Sequence, residues 1–130
     1  MTKCGKVIAE PKELITNCKN KKRVVIDFTD IEIGDYTFIG PYMSTDLIED
    51  RSGVYAVICI MENKRYLLDV GESAQVKTWL DTHDRRDCWE KNCQGTLAYS
   101  VKYTPNLRQK ARQEIEQKIR DRFDPPCGKT

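Results

Sequence analysis

The sequence predicts an α/β chain of the α+β kind: a small three-stranded antiparallel-type sheet flanked by helices, with extra N-terminal strands. Three observations predict it. Residues 53–61 and 65–70 are apolar, β-branched runs separated by the polar turn Glu62-Asn63-Lys64, the pattern of a hairpin. Residues 96–103 form a third run, in which Leu97, Tyr99 and Val101 alternate with Ala98, Ser100 and Lys102. Apolar residues then recur every four positions at Leu107, Ala111, Ile115, Ile119 and Phe123, the stripe of an amphipathic helix.

The remaining elements follow in chain order. Pro11 suits a first helical position and predicts a short helix over 11–18. Residues 24–28 (Val-Val-Ile-Asp-Phe) read as a strand, as do 31–33 and 36–39 around the turn Gly34-Asp35. Gly71 ends the hairpin, and Ser73 can cap a helix running to His83 with Val76, Trp79 and Leu80 on one face. Residues 84–93 are polar and allow one or two helical turns. Thr104-Pro105 opens the long helix and Asp124-Pro125-Pro126 stops it. Residues 1–52 are therefore read as an N-terminal extension packed on a core domain of residues 53–130.

Bulk properties narrow the function classes. The net charge of +2 is too small to announce a nucleic-acid binder. Residues 1–52 carry 8 basic and 9 acidic side chains, and residues 53–130 carry 14 and 11. The surplus falls on the last helix, whose basic face can meet phosphates or simply face solvent. No apolar run approaches the roughly 18 residues of a membrane helix, and the stretch at Val7-Ile8-Ala9 is too short for an export signal. The expectation is a cytoplasmic protein whose six cysteines stay reduced, with Cys59 a small core residue. His83, Cys88 and Cys93, with Cys127 as a fourth partner, offer zinc donors, but not at the usual C-x2-C spacing. No Gly-rich phosphate loop is present, and His83 is the only histidine available to a catalytic triad.

Gly53-Val54-Tyr55 is followed after 13 residues by Asp69-Val70-Gly71, then by Trp79-Leu80-Asp81-Thr82-His83, then by Glu116 on the long helix and Pro125-Pro126-Cys127. In order and spacing this resembles the GIY-YIG nuclease superfamily over residues 53–128. The resemblance implies a metal-dependent endonuclease ancestry and a nucleic-acid partner, DNA favoured. Carried over position by position, it places Tyr55 at the first family tyrosine, Glu116 at the metal ligand and His83 at a histidine following the family arginine. Three positions depart from the pattern: Asp69 stands for the second tyrosine, Trp79 for the arginine and Cys127 for the asparagine. The implied catalytic set is Tyr55, Asp69, Glu116, Lys77 and His83. Within it Glu116 and Asp69, joined by Glu72, would hold Mg2+ or Mn2+, and Lys77, Arg85 or Arg86 would supply the missing cation. Arg85, Arg86, Arg112 and Arg120 are the candidate nucleic-acid contacts.

Each of these residues has a structural alternative. Tyr55 suits a sheet interior, Trp79 a core, Asp69 the turn out of a strand, and Glu116 a salt bridge with Arg112 or Arg120 one helical turn away. Two function classes follow. One is a nucleic-acid-binding domain with weakened or lost cleavage. The other is a catalytically inactive protein-interaction module on the same fold. A basic surface around Tyr55 and Glu116 favours the first, an exposed apolar patch the second.

Overall fold

A strand that is apolar at every position must be covered on both faces, and residues 54–59 meet that condition. In the computed structural model, which describes residues 7–9 and 30–128, this strand lies at the centre. The elements are β1 (Val7–Ala9), β2 (Ile31–Ile33), β3 (Tyr36–Tyr42), β4 (Gly53–Met61), β5 (Lys64–Ser73), α1 (Val76–Asp81), α2 (Arg86–Lys91), β6 (Thr96–Tyr103) and α3 (Gln109–Phe123). The helix expected over 11–18 and the strand expected over 24–28 lie outside the described residues.

The fold is α+β, but the sheet is larger than the expected three strands. A continuous antiparallel ladder runs β1-β5-β4-β6-β3, and β2 continues it through its hairpin with β3. The extra strands add to both sides of the β5-β4-β6 centre. β1 and β2, at opposite ends of that order, come within 8 Å between Cα atoms, so the sheet curls. The β4–β5 hairpin closes through two residues with positive φ, Glu62 (52°) and Asn63 (68°); two such residues match the twist of the flanking strands.

Two cores result, one on each side of β4. Val54, Ala56 and Ile58 join Ile31, Ile33, Phe38, Leu67 and Val70 under Ile115 and Ile119 of α3. Full burial of each such isoleucine contributes about 1.5–3 kcal/mol. Tyr55, Val57 and Cys59 point the other way, into a core with Leu68, Tyr99 and Val101 that Val76, Leu80 and Trp89 of α1 and α2 cover.

The expected helix ends are corrected at both ends of α1 and at the start of α3. α1 covers only Val76–Asp81, because Ser73 accepts from the Gln75 amide inside the strand exit and Asp50 takes the capping role from a distant loop, bonding the Thr78 amide (2.9 Å) and hydroxyl (2.6 Å). α3 starts at Gln109 with Arg108 at the N-cap, since the buried Thr104 hydroxyl has no hydrogen-bond partner among the described residues and so caps no helix. Leu107 therefore precedes the helix and is exposed rather than part of its stripe. At the other end Asp124 adopts a left-handed conformation (φ 50°) and its amide closes on Arg120 O, as a helix C-terminus requires.

Cysteine chemistry departs from the reduced state expected. Cys59 pairs with Cys93 and Cys88 with Cys127, with Cα–Cα distances of 5.5 and 5.9 Å, the range a disulfide needs. The thiolate set proposed for zinc is thereby consumed. Cys4 and Cys18 lie outside the described residues. Among the described residues, no helix is long and apolar enough to cross a membrane.

Candidate functional site

Strand pairing sets the site. Tyr55 on β4 stands opposite Gly71 on β5, and Val57 stands opposite Asp69. A side chain at 71 would collide with the Tyr55 ring and hydroxyl, so Gly71 is the position that lets the tyrosine lie across β5. β5 consequently runs on to Ser73 instead of ending at Gly71, and Asp69 sits in mid-strand, not in a turn.

Asp69 is fully buried. Its carboxylate accepts from Arg85 Nε (2.9 Å), Arg120 Nη2 (2.7 Å), the Trp89 indole Nε1 (2.8 Å) and the Val70 amide (2.8 Å). Burying a carboxylate is costly unless donors replace its water; here two guanidiniums, an indole and an amide do so. Arg120 is held in turn by Glu116 Oε2 (3.2 Å), Cys127 O (3.0 Å) and Val70 O. Beside this cluster Arg112, also buried, bonds Glu72 (2.8 Å) and Leu107 O (3.1 Å), and Gln109 donates to the other Glu72 oxygen (3.1 Å). Three acidic side chains thus face three arginines.

Tyr55 Oη lies 2.9 Å from His83 Nε2, while His83 Nδ1 accepts from the Arg85 amide (3.1 Å). With Nδ1 accepting, the proton of the neutral ring sits on Nε2 and is donated to Tyr55. His83 in this state cannot take the tyrosine's proton. Burial, reinforced by the Asp69 charge, pushes the Tyr55 hydroxyl far above its ordinary value, so it is a neutral group that can orient a ligand but not deprotonate one. Burial also holds His83 below its ordinary value, with Arg85 adding to the effect. Glu116 is raised by burial against the opposing pull of Arg120.

Comparison of the chain with protein-family models, curated proteins and solved structures finds no match.

The candidates divide clearly. Tyr55, Asp69, His83, Arg85, Glu116 and Arg120 come together. Lys77 does not: its ammonium donates to Thr45 O (2.8 Å) on the neighbouring loop, leaving Arg85 as the cation beside Tyr55. Arg86 donates to Leu80 O (3.3 Å) and lies over the Trp89 ring. Trp79 is not a core residue; it is 48% exposed, standing edge-on to His83 at 5.4 Å between ring centroids. Trp79 borders a groove of about 350 Å3 lined also by Glu72, Ser73, Ala74, Gln109 and Arg112. The buried tryptophan is Trp89, which the sequence reading passed over. Its signal was available: a lone Trp in a polar stretch, four residues after Arg85 and next to Cys88.

The donor set does not suit Mg2+ or Mn2+. Such ions take oxygen ligands free to turn toward them, whereas Asp69 faces two guanidiniums, Glu116 faces Arg120 and Glu72 faces Arg112. Among the described residues, no three His, Cys, Asp or Glu side chains are grouped as a metal site.

Proposed function

We propose that this chain is a protein-interaction module on a GIY-YIG-like frame, in which the positions of a nuclease centre serve to hold the fold together. The observation that carries this reading is the buried Asp69, bonded by Arg85, Arg120 and Trp89. The frame is supported by the succession of hairpin, helix, strand and long helix, and by the fit of Tyr55 over Gly71. Loss of cleavage is supported by charge. A phosphodiester needs uncommitted cations, yet Arg120 and Arg112 are bound to acids of the same domain. Arg85 alone of the cluster keeps substantial exposure, 34% of its side chain. Where the family pattern has an arginine this chain offers an exposed indole beside a groove, the kind of anchor that protein interfaces favour.

The test has two arms. The full chain is incubated with single-stranded, double-stranded and branched DNA in Mg2+ and in Mn2+, beside Glu116→Ala; neither protein should cut. A peptide selected by display against the wild-type groove should bind Trp79→Ala at least tenfold more weakly, as loss of an aromatic anchor does. Metal-dependent cutting by wild type that disappears in Glu116→Ala would overturn the proposal in favour of a working nuclease.

A further inference from the structure

The segment after α3 returns across the polar cluster. The Cys127 amide donates to Leu68 O of β5 (2.9 Å) and its carbonyl accepts from Arg120 Nη1 (3.0 Å). Gly128 lies so close to Asp69 Oδ1 and Arg120 that a Cβ there would overlap both. Residues 124–128 thus cover the Asp69–Arg120 pair, and the Cys88–Cys127 bridge fastens this cover to α2. A second bridge, five residues further on at Cys93, ties the end of α2 to β4 through Cys59. Opening the first bridge therefore frees the cover but leaves α2 tethered. Its two cysteines are unequally guarded: Cys127 is 1% exposed, whereas Cys88 is only half-buried.

We propose that Cys88–Cys127 is a thiol-exchange site that latches residues 124–128 over the Asp69 cluster, with Cys88 the sulfur that an external dithiol attacks. A thiolate of the dithiol bonds to Cys88 Sγ, the Cys88–Cys127 bond breaks, and its electron pair leaves on Cys127, which takes a proton. Asn92 Nδ2, 3.8 Å from Cys127 Sγ and 3.5 Å from Cys88 Sγ, is placed to stabilise charge on the departing sulfur. The second thiol of the dithiol then attacks the mixed disulfide, releasing Cys88 as a thiol and carrying the reductant away as its own disulfide. Two electrons pass to the protein and two thiols result. Cys93 is partly exposed like Cys88, but attack there must expel a thiolate on Cys59, fully buried in the apolar core of the central strand, where charge is disfavoured. The first bridge instead expels it on Cys127 beside Asn92, so the Cys59–Cys93 bridge resists longer. This regulation rests on the preceding reading of the Asp69 cluster as structural.

The experiment poises the oxidised full chain in buffers of reduced and oxidised dithiothreitol, alkylates free thiols, maps them by mass spectrometry and follows amide hydrogen exchange in the same samples. Cys88 and Cys127 should be labelled at poises that leave Cys59 and Cys93 bridged. The Cys127 amide should then exchange at least tenfold faster, while β4 and β6 change less than twofold. A Cys127→Ser variant should reproduce the fast exchange without reductant. Simultaneous opening of both bridges, unfolding of the whole domain on opening the first, or an unchanged Cys127 amide would each overturn the latch. DNA cleavage by the oxidised protein would instead overturn the interaction-module reading, whatever the order in which the bridges open.

Discussion

Asp69 shows how one side chain can decide what a cluster does. A carboxylate with no exposure gathers Arg85 from the loop before α2, Trp89 from α2 and Arg120 from α3. Three segments distant in sequence meet at one side chain. Removing it leaves the Arg120 guanidinium, 13% exposed, and the Trp89 indole without that acceptor. Breaking a buried pair from one side typically costs about 3–5 kcal/mol where the charge is left uncompensated; here Arg120 keeps Glu116, Cys127 O and Val70 O, so the lower end of that range applies. Asp69→Ala should therefore lower the unfolding free energy by about that amount in urea denaturation. Asp69→Asn should not restore it, since an amide NH2 would be turned toward donors. A loss below about 1 kcal/mol, the range of exposed pairs, would mean that the network carries no such weight.

Elements were legible to unequal degrees. β4, β5, β6 and α3 could be read because their periodicity is local: every second or fourth residue reports its own burial. The size of the sheet was not, because β1 and β3 gain their neighbours from strands far along the chain, β5 and β6. The start of α1 has no local signal because its capping carboxylate, Asp50, lies 28 residues before Thr78. The meeting of Tyr55, His83 and Glu116 has no local signal, because a strand, a loop and a helix far apart in the chain supply them, and the arginine ties that neutralise the acids depend on side-chain packing no spacing encodes. The same element-scale logic governs Gly71. A Cβ there meets the Tyr55 ring, so Gly71→Ala must part β4 from β5 or turn the ring out. Overpacking of this kind costs about 1–3 kcal/mol. In a Tyr55→Leu background the cost should fall below about 1 kcal/mol, because no ring lies across residue 71. Equal costs in both backgrounds, measured by denaturant unfolding, would show that contact with the tyrosine is not why glycine stands there.

At the scale of the whole molecule, the single histidine ties stability to pH. His83 is enclosed by Tyr55, Trp79, Trp89, Arg85 and Asp84. Burial and the Arg85 charge hold its pKa below the ordinary 6.5, against the smaller pulls of Asp69 and Asp84. Between the lowered folded value and 6.5 the unfolded chain binds more protons than the folded one, so unfolding becomes easier as pH falls through that window. Above 6.5 the neutral ring's contribution is complete and flat. Glu116 has the opposite sign: its raised folded pKa makes the native state the better proton acceptor just above its ordinary 4.5, so acidification there is stabilising. His83→Gln separates the two. Urea unfolding at pH 7.5, 6.5 and 5.5 should show wild type losing stability toward pH 5.5 and the variant losing less. Parallel curves would mean that His83 is not held neutral by its surroundings. The direction has a structural consequence. A proton on Nδ1 removes the acceptor of the Arg85 amide and turns that nitrogen toward Asp84 Oδ1, 3.5 Å away. The backbone that seats Arg85 against Asp69 is then loosened. Because the Asp69 charge pulls the His83 pKa upward, Asp69→Ala should lower it further and widen the window in which acid destabilises, so the loss toward pH 5.5 should be at least as large in that protein as in wild type.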